Sequence, residues 1–104
     1  MASAAGAAAA GPKYFILNYK YVPDIVERRG PYREAHLAGA NKKLEAGQLV
    51  MAGAAGDPVE GAVFIFKNIT KDDIEAFVKA DPYVQNGLVP DYSIKPYAVV
   101  VGSP

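Results

Sequence analysis

Two segments with the spacing of amphipathic helices lie between four short runs rich in β-branched and aromatic residues, and this order leaves few possible folds. Pro31 is well placed in a first helical turn, and Gly47 is a stop signal. Thr70 and Asp73 resemble a capping box before the second helix, which Pro82 closes at Asp81. The predicted strands span 14–22, 49–53, 62–67 and 93–101, the predicted helices span 31–47 and 70–81, and one helical turn is expected at 23–27, interrupted by Gly30-Pro31.

The resulting order, βαββαβ, is that of a ferredoxin-like α+β fold. We therefore predict a four-stranded antiparallel sheet with two helices on one face. The 104 residues suffice for one domain and are too few for two. The first twelve residues are almost all Ala, Gly and Ser, which predicts a disordered tail at 1–12 and a single domain at 13–104.

The strands are apolar on both faces, although two helices can cover only one face of the sheet. In the third strand Phe64 and Phe66 alternate with Val63 and Ile65. A bare apolar sheet face is a liability, and the simplest cover is a second copy of the same sheet. We therefore expect a homodimer with a shared barrel-like core. The alternative is a monomer with an exposed aromatic surface.

Chain direction brings candidate functional residues to one end of this fold. With right-handed crossovers, the start of the first helix and the end of the second lie at the same end of the sheet. Arg33 and His36 lie at the former, and Asp81 and Tyr83 at the latter. His36 is the sole histidine, and a His–Asp pair can move a proton near neutral pH.

Composition excludes several other classes of protein. Eleven basic residues balance eleven acidic ones, so no basic excess suggests a nucleic-acid partner. No apolar run is long enough to cross a bilayer, so no membrane association is expected. The absence of cysteine fits a reducing compartment such as the cytoplasm, without excluding an organelle. One histidine and scattered carboxylates predict no metal site, and no phosphate cradle or other cofactor motif is visible.

Each candidate residue also has an ordinary structural explanation. A lone helical histidine is commonly a packing residue, and Asp before Pro commonly ends a helix. Arg33 could pair with a surface carboxylate, and Tyr83 could be a core or interface aromatic. Gly53, Gly56 and Gly61 could serve only tight turns. The expected proximity of the four candidates, rather than any one of them, indicates a functional site.

Several motifs together resemble the YciI-like (YCII-related) family. They are Arg33-Glu34-Ala35-His36-Leu37, Glu45-Ala46-Gly47, the run 80–88 (ADPYVQNGL) and Ile94-Lys95-Pro96-Tyr97. The resemblance covers the whole domain and implies a dimeric α+β barrel with a pocket around the His and Asp. Some relatives degrade substituted aromatic rings, including by elimination of chloride. Many members have Ser after the glycine that opens the third strand, whereas this chain has Gly61-Ala62, so no role is carried to Ala62.

The resemblance implies His36 as general acid and base, with Asp81 orienting its ring. Arg33 would bind an anionic group of a small-molecule ligand, and Tyr83 would be a pocket wall or a second hydrogen-bond donor. The expected function is cofactor-free isomerisation or elimination on a small cyclic or aromatic acid. Two alternatives stay open: a module that binds such a ligand without turnover, and a stress-linked structural dimer.

Overall fold

The structure, a computed structural model, describes residues 13–102, and the tail predicted at 1–12 lies outside the described residues. Four strands and four helices follow one another along the chain. In chain order they are β1 (Tyr14–Lys20), α1 (Ile25–Arg28), α2 (Gly30–Glu45), β2 (Leu49–Ala55), β3 (Gly61–Lys67), α3 (Lys71–Ala80), α4 (Pro82–Gln85) and β4 (Asp91–Tyr97). No helix in this part of the chain is long and apolar enough to cross a membrane.

The strands form one sheet in the order β2-β3-β1-β4, with every neighbouring pair antiparallel. This arrangement confirms the predicted ferredoxin-like α+β fold. The N-cap of α3 is also as predicted, because the Thr70 hydroxyl accepts a hydrogen bond from the Asp73 amide at 3.1 Å.

Strand boundaries differ from the sequence prediction where pairing partners begin or end. β4 ends at Tyr97 rather than at 101, because its only neighbour is β1 and Tyr97 pairs with Tyr14, the first residue of that strand. Val100 and Val101 lie beyond this pair and are exposed. β2 runs two residues further than predicted, because Ala54 and Ala55 still face partners in β3.

Two four-residue helices, α1 and α4, lie directly before α2 and directly after α3. The turn expected at 23–27 is α1, and Arg29 between α1 and α2 keeps helical geometry, with φ −76° and ψ −18°. α1 and α2 are nevertheless separate helices, as the interruption predicted at Gly30-Pro31 requires. Pro31 has no amide hydrogen, and the Tyr32 amide bonds to the Arg29 carbonyl at 2.9 Å. The second short helix, α4, was not predicted; it begins at Pro82, where the sequence suggested only a helix end.

The hydrophobic core lies between the sheet and the helices. Leu17, Phe64 and Phe66 line the sheet side, and Ile74 and Val78 of α3 pack onto it, each at most 2 % exposed. Burial of one such side chain contributes roughly 1.5–3 kcal/mol. The core therefore fixes α3 firmly on the sheet.

The opposite face of the sheet has no helix over it in residues 13–102. Met51, Ile65, Ile16 and Lys95 form one row across the four strands, as their pairing register shows. Met51 is 62 % exposed. The row is apolar in β2, β3 and β1 and ends in Lys95 of β4, so this face of β1 and β3 carries apolar residues, as their alternation predicted.

Gly61 is required by a close approach between β1 and β3 rather than by a turn. A Cβ built on Gly61 would lie 2.2 Å from the carbonyl oxygen of Tyr19. Gly53 also lies within a strand, but a Cβ there would meet no atom within 4 Å. Of the three glycines attributed to turns, Gly56 has the positive φ, +99°, that a turn glycine adopts.

We predict that Gly61→Ala destabilises the protein by roughly 1–3 kcal/mol, because the strands must separate to admit the methyl group. Urea unfolding measures the change. Gly53→Ala is the matched control and should alter stability by less than about 1 kcal/mol. Equal stability of Gly61→Ala and the parent would contradict the close approach.

Candidate active site

Asp81 owes its position to the Asp81-Pro82-Tyr83 sequence. Pro82 disfavours helical geometry at the preceding residue, and Asp81 is extended, with φ −72° and ψ 123°. Asp81 thereby ends α3 and caps α4, where its Oδ1 accepts a hydrogen bond from the Tyr83 amide at 3.0 Å. The side chain is 2 % exposed, so this sequence turns a carboxylate into the protein interior.

Three donors from separate parts of the chain converge on the Asp81 carboxylate. Besides the Tyr83 amide, the Tyr19 hydroxyl donates to Oδ2 at 2.8 Å, and His36 Nδ1 lies 2.9 Å from Oδ1 and 3.0 Å from Oδ2. A buried carboxylate without such partners would be strongly unfavourable. The interactions offset this cost and join β1, α2 and the start of α4.

The contact with Asp81 fixes the chemistry of the His36 ring. An ionised carboxylate only accepts hydrogen bonds, so Nδ1 carries the proton and donates to it. In the neutral ring the lone pair then resides on Nε2, which makes no hydrogen bond with residues 13–102 and is not fully buried. The ring stacks on Tyr83, with centroids 3.8 Å apart and planes 4° apart. His36 is thus held in one orientation with one nitrogen available.

A cavity of about 230 Å³ lies between α2 and the sheet, and His36 lines it. The cavity exists because the helix and the sheet present few large side chains to one another. His36 is the only buried residue described in α2. On the sheet side the lining residues are mostly small: Ala52, Gly53, Ala54 and Ala62, with Phe64 beside them.

The structure brings the four predicted residues to the same end of the domain. His36 and Asp81 are in contact, and Arg33 and Tyr83 line the cavity with His36. The ring of Tyr83 forms a wall of the cavity, whereas its hydroxyl is buried without a hydrogen-bond partner among residues 13–102. Ala62, to which no role was carried, lies in the floor.

Three residues of the site, Tyr19, Tyr21 and Arg29, were not predicted from the sequence. Tyr19 lies near the end of β1 and Tyr21 follows that strand, but nothing in the sequence indicated that the Tyr19 hydroxyl reaches Asp81 or that Tyr21 lines the cavity. Arg29 lines the cavity with Arg33 and was overlooked because Gly30-Pro31 suggested an interrupted helix. The signal that could have found Arg29 is its spacing of four residues from Arg33, which places both on one helical face.

Burial and electrostatics keep both tyrosines protonated. Burial first, and the Asp81 charge next, raise the pKa of Tyr19, so its hydroxyl remains a donor to Asp81. Burial is also the main cause that raises the pKa of Tyr21, with Tyr83 and Asp81 contributing. Arg29 and Arg33 act in the opposite direction on Tyr21.

Other features of this part of the chain offer no comparable chemistry. Within residues 13–102, no three His, Asp or Glu side chains are grouped as metal ligands would be. A larger groove of about 550 Å³ lies beneath the β2–β3 loop, but neither His36 nor Asp81 lines it. His36 lines the cavity of about 230 Å³, and His36 and Asp81 both line a further one of about 70 Å³. The cavity of about 230 Å³ is the candidate site, because the other has less than a third of its volume.

The chain belongs to the YCII-related family: the family model for the YCII-related domain matches residues 13–98. This confirms the resemblance seen in the sequence. A solved structure, 5-chloro-2-hydroxyhydroquinone dehydrochlorinase (TftG) from Burkholderia phenoliruptrix AC1100 in complex with 2,5-dihydroxybenzoquinone, has a similar fold. The TM-score is 0.69 at 20 % identity, over 82 % of this chain and 93 % of that chain. This likeness shows the fold alone. A search of curated proteins found no match.

We predict that Tyr19→Phe costs roughly 1.5–3 kcal/mol at pH 7, because it removes a hydrogen bond to a buried charge. The parent should also lose stability above about pH 10, where tyrosine ionises in the unfolded chain but Tyr19 stays protonated in the folded one. The loss per pH unit should be smaller in Tyr19→Phe. Urea unfolding from pH 7 to pH 11 measures both effects.

Tyr92→Phe is the matched control for this prediction. Tyr92 pairs with Tyr19 across the strands and donates to Glu75 Oε1, also at 2.8 Å, but near the surface. Water can replace that bond, so the cost at pH 7 should be below about 1.5 kcal/mol. Equal losses in the two variants would show that the Tyr19 hydrogen bond is not a special stabiliser of the buried carboxylate.

Proposed function

We propose that the protein is an acid/base enzyme of the lyase or isomerase type, acting on a small cyclic or aromatic acid with its own side chains. The observation that carries the proposal is the buried His36–Asp81 contact beside a cavity, with Nδ1 occupied and Nε2 available. A histidine held in this way is poised to accept and return a proton. The dehydrochlorinase with a similar fold, solved with a dihydroxybenzoquinone, supports an elimination on a ring compound.

In the proposed elimination, the carbon that bears the leaving group is saturated, as it is in a non-aromatic cyclic acid or in the keto tautomer of a hydroxylated aromatic ring. His36 Nε2 takes a proton from the neighbouring carbon of the cyclic acid, or from a conjugated hydroxyl of the keto tautomer. The electron pair of the broken C–H or O–H bond becomes a new C=C or C=O double bond, and the leaving group departs with the electron pair of its own bond to carbon. In an isomerisation, the same nitrogen returns the proton to a different atom of the substrate. Asp81 stabilises the imidazolium in both cases without becoming protonated. Such a pair supplies roughly 10²–10⁴ in rate.

The remaining residues hold the substrate in this proposal. Arg33 lies one turn before His36 and contributes to the cavity, so its planar guanidinium can bind a carboxylate or phenolate. Tyr83 keeps the imidazole flat against its own ring and closes one wall. The cavity of about 230 Å³ is below the roughly 300–1,000 Å³ of pockets for drug-sized ligands, which favours a single ring.

We predict that His36→Gln lowers kcat by roughly 10²–10⁴ while ligand affinity changes only a few-fold, because glutamine keeps polarity but transfers no proton. The assay is a panel of small cyclic and aromatic acids, including chlorinated hydroxyquinols followed by chloride release. Glu34→Gln is a control on the exposed side of the same helix and should leave kcat unchanged.

Two results would contradict the enzyme proposal. Unchanged turnover in His36→Gln would remove His36 from the chemistry. Ligands that bind tightly to the parent but are never converted would favour the binding module instead.

We also propose that the protein is a homodimer whose two sheets pack through their bare faces. The row Met51, Ile65 and Ile16 would supply the apolar centre of the interface, with Lys95 at its rim. The family resemblance implies the same assembly.

We predict that Met51→Glu converts the dimer to a monomer, because the pairing would bury a carboxylate in the apolar centre. Analytical ultracentrifugation measures the change. Leu44→Glu is the matched control: Leu44 is 50 % exposed, but it lies on α2 in the helical layer, and the variant should remain dimeric. A parent protein that is monomeric, or two variants that behave alike, would contradict this interface.

A further inference from the structure

The cavity has two arginines in its lining, although the proposed reaction needs only one. Arg29 and Arg33 both line it, on the same side as His36. Neither forms an ion pair with another residue in 13–102. Arg28 shows the contrast: it pairs with Asp24 at 3.5 Å and lies outside the cavity lining.

The junction between α1 and α2 accounts for this placement. Arg29 has helical geometry, and its carbonyl accepts a hydrogen bond from the Tyr32 amide at 2.9 Å. Residues four apart on a helical path are neighbours on its surface, so Arg29 and Arg33 present two guanidinium groups to one region.

Tyr21 lies close enough to both arginines to be affected by their charges. Its side chain lines the cavity, and Arg29 and Arg33 both stabilise the ionised form of its phenol. Leu37, Ala40 and Phe64 make up an apolar part of the lining. The cavity thus combines two arginines that have no ion-pair partner within residues 13–102 with His36, Tyr21 and a largely apolar remainder.

We propose that Arg29 and Arg33 form a two-cation clamp and that the ligand is a small ring compound with two negative charges, such as two carboxylates or a carboxylate and an ionised ring hydroxyl. This inference rests on the proposed function for the location of the substrate. Arg33 is exposed and Arg29 half-buried, so a ligand with one charge leaves one guanidinium to water, whereas a dianion offers an anionic partner to both. The guanidinium fork binds a carboxylate through two parallel hydrogen bonds, which gives orientation as well as affinity.

Binding by both arginines would orient the substrate ring for the proposed reaction. With one anionic group on each arginine, the ring lies in a fixed position relative to His36, which is one helical turn beyond Arg33. Fixing the reacting atom near the base can lower a barrier substantially. Arg29 is therefore a specificity residue in this proposal, and the catalytic residue remains His36.

The test uses phthalate and benzoate as probes, because they share a ring and differ by one carboxylate. The NMR signals of the single histidine report binding to the full chain without any turnover. We expect phthalate to bind the parent at least about 10-fold more tightly than benzoate, as an additional charge-assisted hydrogen bond allows. Arg29→Gln should lower phthalate affinity about 10-fold and benzoate affinity less than about 3-fold, which removes the preference.

Two further variants complete the test. Arg28→Gln removes a neighbouring charge outside the cavity and should keep the preference for phthalate. Arg29→Lys keeps the charge without the fork and should retain part of the preference. Far-UV circular dichroism and thermal unfolding establish that each variant is folded.

Equal affinity for the two probes, no binding of either at millimolar concentration, or an equal effect of Arg28→Gln would overturn the clamp. Different results would contradict the clamp and the enzyme proposal. A phthalate preference that depends on Arg29, together with unchanged turnover in His36→Gln, would leave the clamp and remove the acid/base role.

Discussion

The site depends on one buried charge, the carboxylate of Asp81. Its interior position would be unfavourable without the donors that surround it, and those donors come from β1, α2 and the first residues of α4. The donors that stabilise the buried Asp81 charge are therefore the same groups that assemble the site. The hydrogen bonds that make the carboxylate tolerable also hold the His36 ring, fix its tautomer and direct its free nitrogen away from Asp81. The stacked Tyr83 ring removes the remaining freedom of rotation.

The cavity results from a second constraint: α2 and the strands beneath it have few large side chains facing one another. α3 packs on Phe64 and Phe66 with large apolar side chains, but α2 contributes only His36 to the buried interior that the structure describes. Small residues in β2 leave the space between them unfilled. α3 thus anchors the sheet through the core, whereas α2 packs against β2 and borders the cavity where a ligand is proposed to bind.

Much of the fold and part of the site could be predicted because they depend on local patterns. Alternation in β1 and β3 determines which side chains face the helices, and Pro82 ends a helix by sterics alone. Chain direction then brings His36 and Asp81 to one end. Long-range contacts could not be predicted in the same way. The hydrogen bond from Tyr19 to Asp81 joins side chains 62 residues apart in the sequence. Arg29 lines the cavity from the junction between α1 and α2, where its own φ and ψ are helical. The end of β4 at Tyr97 is set by the start of β1, which the sequence of β4 does not contain.

The measurement that tests the central claim most directly is the tautomer of the neutral His36 ring, read from its ¹⁵N chemical shifts in the parent protein. Only one histidine is present, so the assignment is unambiguous. The account predicts that Nδ1 carries the proton and that Nε2 carries the lone pair, because the Asp81 carboxylate accepts the hydrogen bond from Nδ1. A proton on Nε2, or a ring that exchanges between the two tautomers, would show that Asp81 does not hold the histidine in solution and would contradict the proposed acid/base pair.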